Sequence, residues 1–127
     1  MKNIDRWFIL TGLVFLLVGI VLGIKMAKTM DFTLHGLHAH MNLLGFVVMT
    51  LYGLCYRQWP RMQEGMLATV HYLLHTVSVA VALGLLYVIM TNADMAPKVG
   101  PVQHASLFVI LAASMLFTYL FLARAKD

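Results

Sequence analysis

HGLHAHMNLLGFVVMTLYGLCYR, residues 35–57, is the stretch on which the fold and the chemistry of this chain turn. Three of the six histidines, His35, His38 and His40, fall within its first six residues, and an apolar run of spanning length comes directly after them. A titratable or ligating group at the mouth of a membrane segment is expensive to keep, so it points first to function. The residues around it must therefore be read as the frame that holds it.

That frame is a membrane protein. The chain has 127 residues, 61% of them hydrophobic and 11% charged, with a mean hydropathy of +0.85, far outside the soluble globular average. Its formal charge of +4 comes from basic residues that cluster between apolar runs, where they report orientation and carry no nucleic-acid footprint. The single cysteine, Cys55, allows neither an intrachain disulfide nor a CxxCH attachment motif. The ten methionines lie mostly one at a time within apolar runs, as gap-filling core residues do.

Working outward from 35–57, the hydropathy predicts an all-α, integral membrane four-helix bundle forming one domain over 1–127. Its helices are expected at about 7–29, 33–57, 65–90 and 101–123. Lys2 and Arg6 precede the first run in the manner of a secretory signal, but the apolar core is too long and has no small-x-small cleavage site before Lys25. Gly19 and Gly23 have GxxxG spacing, which either admits a close helix neighbour or reflects the general abundance of Gly in membrane helices. Pro60 ends the second run. Thr91 to Gly100 reads as a polar loop, with Pro101 in the first turn of the fourth helix. Short connections make sequential helices antiparallel neighbours.

Basic residues give the orientation. Lys2, Arg6, Arg57, Arg61, Arg124 and Lys126 flank one side, against Lys25, Lys28 and Lys98 on the other, so both termini are expected to be cytoplasmic. His35, His38, His40 and His104 then lie near the outer face, His71 in the inner third of the third helix and His75 near mid-membrane. Helical residues two apart point about 200° from each other. His38 and His40 thus address opposite sides of one helix, and at least one must face a neighbour or a ligand. His35 and His38 share a face, as do His71 and His75, and either pair has chelate spacing. Hydrogen bonds at the interface or between helices are expected for His35 and His71. For His75, an unsatisfied imidazole at that depth would be costly, and Ser78 and Asn42 are the expected partners.

The run His38-Ala39-His40-Met41-Asn42-Leu43-Leu44-Gly45, with Tyr52-Gly53 and Tyr56-Arg57 after it, resembles the histidine-bearing helices of subunit I of heme-copper oxidases, especially the cbb3-type and nitric oxide reductase branches. It also resembles short chains described as cytochrome c oxidase subunit I-like. The specific motif covers the second helix, and the four-helix layout extends the likeness along most of the chain. Large members of that family arrange their helices as three four-helix arcs, and an HxH pair in one arc serves two hemes. The resemblance implies a single arc standing alone, in a bacterial-type inner membrane, that binds heme b noncovalently with His38 and His40 as axial ligands.

The likeness has a limit. The family's copper site needs adjacent histidines, and this chain has no His-His pair, so no heme-copper binuclear centre and no oxidase activity are implied. Bis-imidazole ligation leaves iron no open position and suits electron transfer. His104 and His75 form a second tier of candidate cofactor residues, His104 as an intrachain replacement for one axial ligand. Lys25, Lys28 and Lys98 are on the side where propionates of an outer heme would lie, and Arg57 and Arg61 are not. The expected partners are the lipid bilayer, a redox partner and further copies of the chain, as a trimer or a dimer with heme between subunits. Two alternatives stand beside this expectation: copper handling by His35, His38, His40 and Met41, with Met30, and a structural or assembly subunit of a larger oxidase.

Overall fold

The computed structural model describes residues 2–126 and contains four helices long and apolar enough to cross a membrane. They are α1 (Ile4–Thr29), α2 (His35–Gln58), α3 (Met66–Thr91) and α4 (Ala96–Arg124), and the described residues include no strand. At about 1.5 Å per residue, each exceeds the ~30 Å thickness of a bilayer core. Large apolar side chains cover the outside, among them Leu17, Val21, Leu51, Phe108 and Leu122, while His71, His75, Ser78 and Ser106 lie inside. An exterior as apolar as the core fits a solvent of lipid tails, which gives apolar side chains no reason to hide.

The α1–α2 contact is built on glycine. A Cβ added at Gly19 would stand 2.6 Å from Asn42 Oδ1, one at Gly45 would stand 2.5 Å from Phe15 Cγ, and one at Gly53 would stand 2.8 Å from the Asp5 carbonyl. The GxxxG pair is therefore a helix contact: Gly19 faces Asn42, and Gly23 faces the His38 ring. Asp31 closes the hairpin, its Oδ1 accepting hydrogen bonds from Thr33 N at 3.0 Å and Thr33 Oγ1 at 2.6 Å. These two bonds, the side-chain one foremost, hold the Asp31 carboxyl below its ordinary range.

Within α2, Met41–Val48 is π-helical. The buried positions Leu37, Met41, Gly45 and Met49 recur every fourth residue, a spacing that in an α-helix drifts by about 40° per step. The wider π turn opposes that drift and keeps the stripe on one side of the helix.

The second hairpin, α3 with α4, packs along its full length. α4 takes in part of the segment expected as loop: a short 3₁₀ turn, Ala93–Met95, leads into a helix that starts at Ala96, with Pro97 in its first turn and Pro101 inside. Pro97 fits because the first N–H groups of a helix have no intrahelical acceptor. Pro101 lies one turn deeper, still close to the helix end, where the bond it cannot make is least costly.

The two hairpins are wedged together near one end by rings: Tyr52 and Tyr56 from α2 against Phe117 from α4, at 4.3 and 6.0 Å between centroids, and Trp59 against Phe121 at 5.1 Å. Arg124 donates to the Glu64 carbonyl at that end. This is the arginine end of the bundle, marked by Arg57, Arg61 and Arg124; Lys25, Lys28 and Lys98 mark the opposite, lysine end.

Two substitutions test this packing. Gly53→Ala drives a methyl into the α1 backbone and is expected to cost about 1–3 kcal/mol in a detergent unfolding titration. Gly84→Ala, where an added Cβ meets nothing within 4 Å, is expected to be neutral or to stabilise by up to about 1 kcal/mol. Equal effects at both positions would contradict a glycine-dependent α1–α2 contact.

Candidate heme-ligand histidines and the buried histidine pair

The three histidines at the start of α2 stand at the lysine end, and the backbone orients each of them. His35 Nδ1 donates to the Phe32 carbonyl at 3.0 Å, His38 Nδ1 to the Gly19 carbonyl at 2.8 Å, and His40 Nδ1 to the Gly36 carbonyl at 2.7 Å. A carbonyl can only accept, so Nδ1 carries a proton in all three, and in the neutral tautomer this leaves the lone pair on Nε2. Metal-bound histidines are held in this way, with the far nitrogen tied to an outer acceptor.

His38 and His40 then differ sharply. His38 is half-buried and turned to α1: an added Cβ at Gly23 would lie 3.0 Å from its Cε1. The Asn42 amide nitrogen lies against its ring, 3.2 Å from Nε2 and 3.4 Å from Nδ1, and donates to the His38 carbonyl at 3.0 Å. Asn42, one turn further along, thereby closes the His38 ring into the hairpin. His40 is exposed on the other side of α2, and among the described residues no side chain bonds its Nε2.

The remaining candidates are scattered. His104 is exposed on α4, which packs chiefly on α3. Met41 is buried while His35, His40 and Met30 are exposed, and no group of three or more His, Cys, Asp or Glu side chains converges among the described residues.

His71 and His75 are brought together deep in the bundle. Both are fully buried, with ring centroids 6.1 Å apart. Tyr52 of α2 lies edge-on to both, at 4.7 Å from His71 and 5.1 Å from His75, and Phe8 of α1 is 5.0 Å from His71. His71 Nδ1 is hydrogen-bonded to the Tyr56 hydroxyl at 2.9 Å, the interhelical bond expected for it. Nearby, the Tyr52 hydroxyl donates to Ser114 Oγ at 3.1 Å, and Thr11 and Tyr72 share a bond of 2.8 Å.

The partners expected for His75 are engaged elsewhere. Ser78 Oγ donates to the Leu74 and His75 carbonyls at 2.5 and 3.1 Å, and Asn42 is occupied by His38. The Leu44 backbone, in the π-helical turn, flanks the His75 ring, but neither ring nitrogen has a partner in hydrogen-bonding geometry. Sequence spacing marked the 71/75 pair as sharing a face; the tyrosines that surround it come from Tyr52-Gly53 and Tyr56-Arg57, four residues apart on α2.

The hydrogen-bond network fixes an observable tautomer. In ¹⁵N NMR of ring-labelled protein, His38 and His40 are expected to show a protonated Nδ1 and an unprotonated Nε2, and Asn42→Ala is expected to perturb Nε2 of His38 while leaving His40 as it was. A protonated Nε2 on neutral His40 would remove it as a ligand.

Comparison of the chain with family models, with curated proteins and with solved structures finds no match.

Proposed function

We propose that this chain is a membrane cytochrome that binds heme b noncovalently between copies of itself and transfers electrons. The observation that carries the proposal is His40: an exposed imidazole at the lysine end of a spanning helix, with Nδ1–H tied to the Gly36 carbonyl at 2.7 Å and Nε2 directed away from that bond. In lipid such a ring calls for a partner, and a heme iron at a subunit interface is one that the HxH motif and its resemblance to oxidase subunit I favour.

The fit of the two candidate ligands is unequal. His40 can serve without rearrangement. His38 can serve only if the Asn42 amide moves off its ring and α1 withdraws, since Gly23 and Gly19 lie against it. The simplest arrangement is therefore a dimer in which His40 from each of two chains provides an axial ligand, an isologous interface; the ring in which His38 of one copy and His40 of the next share each heme is the runner-up. A six-coordinate b-type heme supplies a one-electron couple with no site for oxygen chemistry. The protein's part would be to orient the imidazole through its carbonyl bond, with Lys25, Lys28 and Lys98 at the same end as the cations available to the heme carboxylates. With six basic residues at the arginine-end flanks against three at the lysine end, both termini face the cytoplasm in this proposal, and the resemblance points to a bacterial-type inner membrane.

Reduced-minus-oxidised spectra of the purified protein, with heme counted per chain, test the reading. Wild type is expected to show a Soret band with sharp reduced α and β bands, at one heme per two chains for the His40 pair or one per chain for the ring. His40→Ala is expected to lose most of the heme, and His35→Ala to keep it. No chromophore in membranes supplied with heme, or full heme in His40→Ala, would overturn the proposal. A colourless protein with bound copper would favour metal handling, and one that co-purifies with a larger oxidase would favour an assembly role.

A further inference from the structure

The buried pair His71 and His75 plays no part in the heme proposal, and its hydrogen-bonding capacity is not met within the chain. Among the described residues His71 Nε2, both nitrogens of His75, Thr50 Oγ1 and Thr76 Oγ1 are buried without a partner in hydrogen-bonding geometry, the Leu44 backbone flanking the His75 ring. The two imidazoles stand at a junction of three helices. Phe8 of α1 and Tyr52 of α2 touch both imidazoles. Thr50 packs at Gly12 of α1, and Thr76 is one turn from Tyr72, which bonds Thr11. A buried polar atom left unmet is costly, so three such nitrogens on two neighbouring rings imply an occupant.

The chemistry of the atoms selects it. A neutral imidazole has one N–H and one lone pair, and a hydroxyl has both functions, so the occupant must donate and accept. A metal ion only accepts lone pairs, and no carboxylate lies among the cluster's ring and hydroxyl neighbours to balance its charge. An apolar molecule would meet none of the five atoms. Water meets both kinds, and buried water takes sites with two to four polar partners.

We propose that His71 and His75 hold internal water between them and, with Tyr56, form a proton-relay site that opens only toward the arginine end. The polar groups lie on that side: the Tyr56 hydroxyl bonds His71 at 2.9 Å, Gln63 Nε2 donates to the backbone carbonyl of the same tyrosine at 3.0 Å, and His75 lies one turn deeper. Beyond His75 toward the lysine end, the buried residues of α3 are Ser78, turned onto its own backbone, then Val79, Ala82 and Leu83. The relay therefore has one mouth. In each transfer an imidazole takes a proton on its lone-pair nitrogen and releases one from the other ring nitrogen, with no change of oxidation state. The titratable groups that face the pair are Tyr52 and Tyr56 from α2 and Tyr72 on α3; α1 contributes Phe8 and α4 contributes Phe117, and neither is charged. Heme at the lysine end is not required for this site.

Water-edited solid-state NMR of ¹⁵N-histidine protein in phosphatidylcholine vesicles tests the proposal, with His71→Phe and His75→Phe assigning the signals. Transfer of magnetisation from water to both rings is expected, and Tyr56→Phe is expected to slow hydrogen exchange at the His71 ring at least ten-fold. Dry rings in wild type, or unchanged exchange in a folded Tyr56→Phe protein, would overturn it; if that variant does not fold, the wild-type transfer decides. Vesicles with an internal pH dye are expected to leak protons no faster with the protein than without it. A faster leak would refute the single mouth.

Discussion

The close approach of α1 to α2 is the constraint on which the rest depends. Gly12, Gly19 and Gly23 on one helix meet Thr50, Asn42 and His38 on the other, and Gly45 and Gly53 of α2 make room in turn for Phe15 and Asp5. In a bilayer no hydrophobic force brings helices together, so contact of this kind must come from packing and hydrogen bonds, for which backbones have to be near. Near backbones are what put the Gly19 carbonyl 2.8 Å from His38 Nδ1. Once that ring is committed to α1, helical geometry leaves His40 no choice but the opposite side. The division of labour between the two histidines is thus a result of glycine placement on a different helix.

The join between the hairpins obeys another rule. Where α1 meets α2, small residues allow contact; where α2 meets α3 and α4, large rings fill the space. Phe8 is stacked on Tyr56 at 5.7 Å and stands edge-on to Tyr52 and Tyr72, while Phe117 closes the far side. Aromatic pairs in these orientations are each worth about 0.5–1.5 kcal/mol beyond their area. They also bring polar edges inward, since each Tyr hydroxyl finds Ser114, His71 or Thr11. The otherwise apolar interior thus carries a band of paired hydroxyls and imidazoles toward the arginine end.

Much of this was legible in the residues. Four spans, their short connections and the opposite directions of His38 and His40 come from hydropathy and helical period, and the spacing of Gly19 and Gly23 flagged a contact without naming its partner. The start of α4 was not legible, because Pro97, Gly100 and Pro101 carry turn propensity that the end of a long apolar helix overrides. Nor was the π-helical turn, which leaves no mark in composition; only the four-residue spacing of Leu37, Met41, Gly45 and Met49 hints at it. Which histidine turns to α1 depends on a neighbour's shape and lay beyond any pattern within α2. Ser78 and Asn42 were reasonable partners for His75 by depth, but a serine in a helix readily bonds the carbonyl of its own preceding turn, and Asn42 is captured by the ring one turn before it.

The turn at Asp31 and Thr33 bears on how the protein is made. At the lysine end the amino-terminal hairpin is closed by its own bonds: His38 is bonded to Gly19 and Asn42, and the connection is pinned by its own carboxylate. Those contacts are local in sequence and form without α3 or α4, so α1 and α2 can leave the ribosome and enter the bilayer as a finished pair, in line with the amino-terminal-first order of synthesis. Tyr52 and Tyr56 remain unsatisfied until Ser114 and His71 arrive. The second pair of helices is then recruited by the waiting hydroxyls of the first, and biogenesis proceeds from the lysine-end turn to the arginine-end aromatic seam.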